Sequence, residues 1–587
     1  MLARAGWPSD RAIDGIRSGP RSVAVRGSRT HVRELSGGAL LVVHGNTDAN
    51  RFAEVWERSG ASGISIAAGD HAGLVIEPSG AIIGFRSVQS PYPLLYCCRP
   101  HSIAVASTTD ALRSFDGDQI GPDFEQLAFW AAGNVPNERA TPFTGLMRVP
   151  QGCTLRLHPT GEVEELWQWV PPRGAPAALR SAAEAGAALR SALEAAVEER
   201  AAGLDETAPI ATQLSGGRDS AAVSATLALI NRGTQPLLAV TAAPSREFQD
   251  LNTAGSADDE SDLAGLVAKA HPALTHLVIR PTPPADLDRF AMLSRLHHRP
   301  LIAISQFPWF DTLMRQAQLA GAIAMFCGNM GNFTISRGGH FFLADVASHH
   351  GWGEALQLAR VFAKGDVGRW RSLLHAALGP YLPLPLYRGL LRAHGDWTPV
   401  RVMAPLLRSP WRKQAEDRLN ALYADSRPQR SASTYADSQF QRNDPGELMH
   451  LAAYGMPVLD PTGDSRVAEV VAAVDPKLFF PSATSDRPLY AAAFGDRVPG
   501  AIVENRRRGR QSGDWFLHFP RELVQERWRL LFCNPIVNEL FDTAVVEDHL
   551  ERWPTRDWST SETEDTFRHQ MLVGLAVAIW IEAHFPR

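Results

Sequence analysis

Between about residues 39 and 170 the chain reads as short apolar runs, ALLVV, GISIA, GLVIE, AIIGF, SIAVA and CTLRL, separated by turn formers. A clear turn is Pro78-Ser79-Gly80, set between Val75-Ile76 and Ile82-Ile83. Runs of this kind predict strands, so this part should be layered β structure with some helix. PPRGAP at 171–176 breaks the pattern, and residues 177–202 form an Ala/Glu/Arg/Leu run of strong helix propensity. A boundary near residue 175 follows, dividing the chain into domains 1–175 and 176–587. Beyond it the period changes. The segments 210–214, 237–241, 274–279 and 322–327 read as buried strands with helical stretches between them. Such alternation predicts a parallel, doubly wound sheet, whose ligands sit beyond the carboxyl ends of the strands. The loops at Ser215, Ala242 and Gly328 should then share one crevice. Residues 352–587 read as mainly helical, and no internal repeat is visible.

At 587 residues the chain exceeds what one hydrophobic core usually organises, in keeping with a multidomain α/β protein. A net charge of -5 argues against a broad basic surface for nucleic acid or anionic membrane. Cys97, Cys98, Cys153, Cys327 and Cys533 form neither a CxxC pair nor a Cys/His metal spacing, which fits a reducing compartment without structural zinc or disulfides. The opening MLARAGWPSDRAIDG does not read as a secretory signal, so a cytoplasmic protein is expected. The apolar stretch 571–585 is interrupted by Gly574, Glu582 and His584 and is too short to span a bilayer, so it reads as a buried helix.

The chemistry concentrates in QLSGGRDSAAVSATLALI, a strand end followed by a Ser-Gly-Gly turn and an amphipathic helix. This arrangement suits a pyrophosphate. Gly216 and Gly217 allow close backbone approach and φ > 0, the helix N-terminus attracts the anion, and Ser215 and Ser220 add hydroxyl donors. Asp219 could hold Mg²⁺. The plainer reading, a helix cap after a glycine turn, suits an isolated SGG better than one heading an alternating β/α region. No Gly-Lys-Ser/Thr follows, so this is not a Walker A loop, and the cleavage expected is adenylylation with pyrophosphate release.

At this point the chain resembles the asparagine synthetase family, whose synthetase domain carries an SGGxDS pyrophosphate loop and activates a carboxylate as an acyl-adenylate. In the first domain TPFTGLMRVPQGCTLRL is similar to the family segment T-x-F-x-G-I-x-R-L-P-P-G, part of a glutaminase-like, N-terminal-nucleophile (Ntn-type) α+β fold. In the second, Pro457-Val458-Leu459-Asp460 with Arg466-Val467-Ala468-Glu469 resembles PFLD-x-R-L-V-E, and Asn505 to Gly509 stand where the family has R-x-K-x-G. The resemblance implies a PP-loop ATP pyrophosphatase fold with a helical C-terminal part. It also implies ATP contacts at Ser215, Gly216, Gly217, Asp219, Ser220 and Gly328, an adenine contact at Val240, and transition-state contact by Arg507.

The departures narrow the expectation. The family's glutaminase uses a cysteine directly after the initiator Met, where this chain has Leu2. Without that thiolate, glutamine hydrolysis has no nucleophile and the amine must come from the substrate. β-Lactam synthetases and lasso-peptide cyclases share this loss, joining an amine and a carboxylate of one molecule. The family's Gly-Glu-Gly-x-Asp loop is here Gly328-Asn329-Met330-Gly331-Asn332, so an amide, Asn332, replaces the acid expected at Mg²⁺. Arg507 replaces the catalytic lysine, and Ala453 the glutamate ahead of PFLD. The strings GNMGNFTIS and RRGRQSGDW are similar to those of lasso cyclases. That implies a precursor peptide as substrate, with a leader peptidase and a leader-binding protein as partners.

The reaction implied joins an N-terminal amine to an internal Asp or Glu side chain as an isopeptide, releasing AMP and pyrophosphate. Arg507 stays protonated, so its role would be electrostatic. A peptide α-amine has a pKa of about 7.7–8.0, and a useful fraction is neutral near neutral pH without a strong base. Two alternatives stand beside this, a small-molecule lactam or amide synthetase and a non-catalytic nucleotide-binding scaffold. His297-His298, Trp515 and Trp580 read as core, Asp258-Asp259-Glu260 as helix capping in preference to a second acid near Mg²⁺, and the arginines flanking Arg507 as either a solvated face or an anion patch.

Overall fold

The computed structural model describes residues 14–18, 21–25, 30–45, 49–64, 67, 69–99, 102–116, 120–133, 138–170, 178–231, 235–251, 255–363, 367–393, 404–422, 425, 427, 453–482 and 485–587. Leu2 and the PPRGAP segment lie outside them.

The apolar runs of the first part pair as two antiparallel sheets. One has six strands in the order Val163–Gln168, Cys153–Leu157, Ile82–Arg86, His71–Ile76, Leu40–Gly45 and Thr30–Glu34. The other orders Ser102–Ala106, Leu95–Arg99 and Met147–Arg148. The turn at Pro78-Ser79-Gly80 closes a hairpin in which Gly80 takes φ +90° and its N–H donates to Glu77 O at 3.0 Å. GISIA was expected to be a strand, but Gly63 and Ile64 are helical, and Ser65 and Ile66 lie outside the described residues. Its first residues end the helix Ala49–Ile64, which buries Phe52 and Ile64 beside Phe85. An apolar run this short does not distinguish a strand from the last turn of an amphipathic helix.

The second part holds a five-stranded sheet, ordered Leu274–Ile279, Leu237–Ala242, Ile210–Gln213, Met325–Phe326 and Val458–Leu459, with every pairing parallel. Chain order across this sheet is third, second, first, fourth, fifth. The direction of winding therefore reverses between Ile210–Gln213 and Met325–Phe326, and a crevice opens at the carboxyl ends of those two strands. The expected run 322–327 contributes only Met325 and Phe326 to the ladder.

The two parts share a core. Phe129, Trp130 and Phe143 of the first pack with the C-terminal helix Leu572–His584, whose Trp580 ring lies 5.0 Å from that of Phe143. Arg113 donates to His584 O at 2.7 Å. Trp515 and Trp580 are fully buried, and His297 and His298 stack in the interior, so all four belong to the packing. Among the described residues no helix is long and apolar enough to cross a membrane.

Candidate active site

Leu214 leaves its strand with its N–H bonded to Val240 O at 2.9 Å, and the chain turns through Ser215-Gly216-Gly217 into the helix Arg218–Ile230. The turn is tied by hydroxyls. Ser220 Oγ accepts from Ser215 N at 3.0 Å and lies 2.9 Å from Ser215 Oγ, which accepts from Gly217 N at 3.1 Å. No side chain caps the helix, leaving the first-turn N–H groups and the positive end of the helix dipole facing the crevice. Neither Gly216 nor Gly217 takes positive φ, contrary to expectation. What Gly216 supplies is close approach, because a Cβ there would fall 2.9 Å from Glu260 Cβ and 3.0 Å from Leu263 Cβ. Val240 lies wholly within the core, so its side chain does not reach the crevice surface.

Across the switch point, the loop after Met325–Phe326 wraps Asp219. A Cβ on Gly328 would fall 3.0 Å from the Asp219 carbonyl carbon, and one on Gly331 would enter the Asp219 carboxylate. Asp219 Oδ1 is closed off from solvent with no hydrogen-bond partner among the described residues. Burial pushes the Asp219 carboxyl up to about 7, with nearby Asp460 adding to the rise and Ser336, Arg218 and Arg487 opposing it. Asp460 holds this loop, since its Oδ2 accepts from Met330 N at 2.8 Å while Oδ1 accepts from Thr462 N and Oγ1. Asn332 follows Gly331 on the same short turn and is exposed.

The basic segment closes the third side. Asn505 Nδ2 donates to Gly216 O at 3.3 Å, and Arg218 donates to Val503 O at 2.9 Å and Asn505 O at 2.6 Å. Asn505 Oδ1 in turn accepts from Arg507 N at 2.9 Å. Arg508–Gly509 pairs in parallel with Ser256–Ala257. Arg506 engages Asp486, and Arg510 engages Glu564 and Asp258. Arg507 is exposed at the rim. The fully buried Asp514 accepts from Ser245 N, Trp309 Nε1 and His518 Nε2, pinning the end of this segment to the loop after Leu237–Ala242.

The three acids 258–260 divide their work differently from the expected cap. Asp259 accepts from Ser261 N at 2.9 Å, whereas the Glu260 carboxylate packs between Gly216 and Gly509. Burial and Asp259 push it up to about 7. Sequence reasoning read Glu260 with its neighbours as a helix cap and assigned no role to Arg218, Asn505 or Tyr490. Arg218 occupies the variable position of SGGxDS, and Asn505 and Tyr490 act through backbone carbonyls far away in the chain, so no local signal marks them.

Residues 188–582 match asparagine synthase, more than half of the chain. The chain belongs to the asparagine synthase family. Members of this family are ATP-dependent amidoligases, which agrees with the crevice just described. No curated protein matches the chain. Among solved structures it is similar to the U34-tRNA thiolase NcsA from Methanococcus maripaludis with its 4Fe-4S cluster, at 13% identity and a TM-score of 0.19, over 43% of this chain and 79% of that one.

As an asparagine synthase family protein, this chain would need a thiolate to run a glutaminase. Cys153 is buried and pushed up to about 12, burial raises Cys98 as well, and Cys327, beside the crevice, is raised well above its ordinary value by the same cause. None of these three is an activated thiol.

Proposed function

We propose that this chain is a macrolactam synthetase of the lasso-peptide type, which uses ATP to join the N-terminal amine of a precursor core peptide to an internal Asp or Glu side chain. The observation that carries the reading is the Asn505 bridge. One side chain bonds both Gly216 O and Arg507 N, so the exposed Arg507 is registered against the uncapped helix N-terminus. ATP phosphates would lie on that N-terminus, with Ser215, Gly216, Gly217, Ser220 and Gly328 around them. The substrate carboxylate attacks the α-phosphorus, the bond to the β-phosphate oxygen breaks, and pyrophosphate leaves. The amine then attacks the acyl carbon, AMP departs with the acyl C–O electrons, and the amine loses its proton. Arg507 stabilises the charge gathering on the carbonyl oxygen and the departing phosphate.

The partnerless Asp219 Oδ1 suits a hard cation, and Mg²⁺ commonly takes one or two protein oxygens beside substrate phosphates. Asp219 would hold it, with the Asn332 amide oxygen as neighbour. Bound there, Mg²⁺ would neutralise phosphate charge. A peptide substrate is supported by the GNMGNFTIS and RRGRQSGDW strings, and the absence of an activated thiol among Cys98, Cys153 and Cys327 supports an amine supplied by the substrate. A leader peptidase and a leader-binding protein would act before this step, in the cytoplasm.

The test is mass spectrometry of a candidate core peptide incubated with the protein, ATP and Mg²⁺. The expected product has lost one water, with AMP and pyrophosphate formed in equal amounts. Pyrophosphate formed with a small amino acid but with no peptide would move the assignment to a small-molecule amide synthetase. Nucleotide binding with no pyrophosphate from either would leave a scaffold.

A further inference from the structure

Arg487 lies immediately before the helix Pro488–Phe494, outside every motif that marks the site. That helix is held against the pyrophosphate loop by Tyr490, whose hydroxyl donates to Arg218 O at 2.7 Å. Its other face packs on the helix Ala182–Ala201, where a Cβ on Gly186 would lie 2.8 Å from Ala492. The base of Arg487 is therefore rigid. Its guanidinium lies against Gly338, where a Cβ would run into Nη1 and fall 3.0 Å from Cζ and 3.1 Å from Nη2.

The surroundings of this guanidinium are unusual for a half-buried cation. Its electrostatic neighbours are Arg218, Asp219, Asp486 and Arg508. Asp486 is engaged by Arg506 at 2.5 Å, and Arg218 spends its donors on backbone carbonyls. The Arg487 guanidinium makes no hydrogen bond or ion pair with any described residue, the residue's bonds to Ser485 Oγ and Ala491 N being made by its backbone. Burial and the nearby Arg218 both disfavour its charge, and Asp219 only partly compensates. A cation placed this way is in deficit of negative charge, and the helix N-terminus beside it is also uncapped. A ligand with several negative charges corrects both at once. A planar guanidinium matches phosphate oxygens in bidentate fashion.

We infer that Arg487 grips the β- and γ-phosphates of ATP and the pyrophosphate they become, supplying the charge that a loop without lysine lacks. The inference rests on the ATP-site reading above and assigns a residue within it. Arg507 and Arg487 then divide the nucleotide, with Arg507 at the rim on the reacting side and Arg487 beside Asp219 on the leaving-group side.

Calorimetric titration of the full chain with inorganic pyrophosphate, with ATP and with AMP tests this. For Arg487→Gln, affinity for pyrophosphate and ATP should fall on the order of 10-fold to 100-fold, as for loss of a charge-assisted bond to phosphate, with AMP affinity unchanged. Arg487→Lys should recover part of the loss. Gly338→Ala, which displaces the guanidinium without removing it, should reproduce the selective loss and serves if the Gln variant does not fold. Unchanged pyrophosphate binding in a folded Arg487→Gln protein, or an equal fall for AMP, would overturn the assignment while leaving the ATP site standing. A wild-type protein that binds neither ATP nor pyrophosphate would overturn the ATP site itself.

Discussion

Asp219 shows how much of the site is decided by one carboxylate and its burial. Its pKa is raised from 3.8 to about 7, so the folded chain holds this proton more tightly than the unfolded chain does. Its contribution to stability is therefore fully present below its unfolded value and is lost as pH rises through about 7. A bound cation needs the charged form, so binding must displace the proton wherever the group is still protonated. The thermal shift produced by Mg²⁺ and ATP should be larger at about pH 8 than at about pH 6. Glu260, also raised to about 7, titrates in the same window, so Asp219→Asn should remove only part of this dependence. The same variant should keep its fold and lose substrate-dependent pyrophosphate release. Wild-type pyrophosphate release in Asp219→Asn would sink its assignment to the reaction.

Among the elements, the loop after Met325–Phe326 packs directly onto the Asp219 carboxylate. Gly331 is there because no side chain fits between its Cα and the Asp219 carboxylate. Gly331→Ala should therefore push the loop off the helix Arg218–Ile230, at a stability cost of about 1–3 kcal/mol as for other overpacked sites, together with loss of pyrophosphate release. Urea unfolding and a pyrophosphate assay measure the two effects, and an active variant with an unshifted midpoint would show that this contact is dispensable. The element pattern of the second part was readable because buried parallel strands are continuous apolar runs. GISIA was not, because its first residues finish a helix whose amphipathic pattern begins upstream.

Across the whole molecule, a buried ion cluster joins the first sheet to the crevice. Arg200 on the helix Ala182–Ala201 bonds Asp70 at 2.8 Å and Asp464 at 2.7 Å, all three nearly inaccessible. Asp464 lies four residues past Asp460, the clasp of the Gly328–Asn332 loop. Burial raises Asp70 to about 6 even beside Arg200, so removing the cation would leave Asp70 a costly buried carboxylate, while Asp464 keeps Arg466. Arg200→Met should cost about 3–5 kcal/mol, read as a lower urea midpoint, and a near-neutral result would mean that water replaces the guanidinium. The sequence by itself determined the strand and helix alternation, the Ser-Gly-Gly turn before a helix, and the family landmarks. These depend on local period and on residues that touch their own neighbours in the chain. Tertiary structure alone decided that Gly216 serves close approach rather than positive φ, that Val240 is sealed in the core, that Arg487 and Asp460 converge on Asp219, and that Asn505 reaches Gly216. The contacts of Asp219 with Arg487 and Asp460 and of Gly216 with Asn505 join residues more than 200 positions apart, and nothing in a linear string records which distant side chain ends up facing a given backbone.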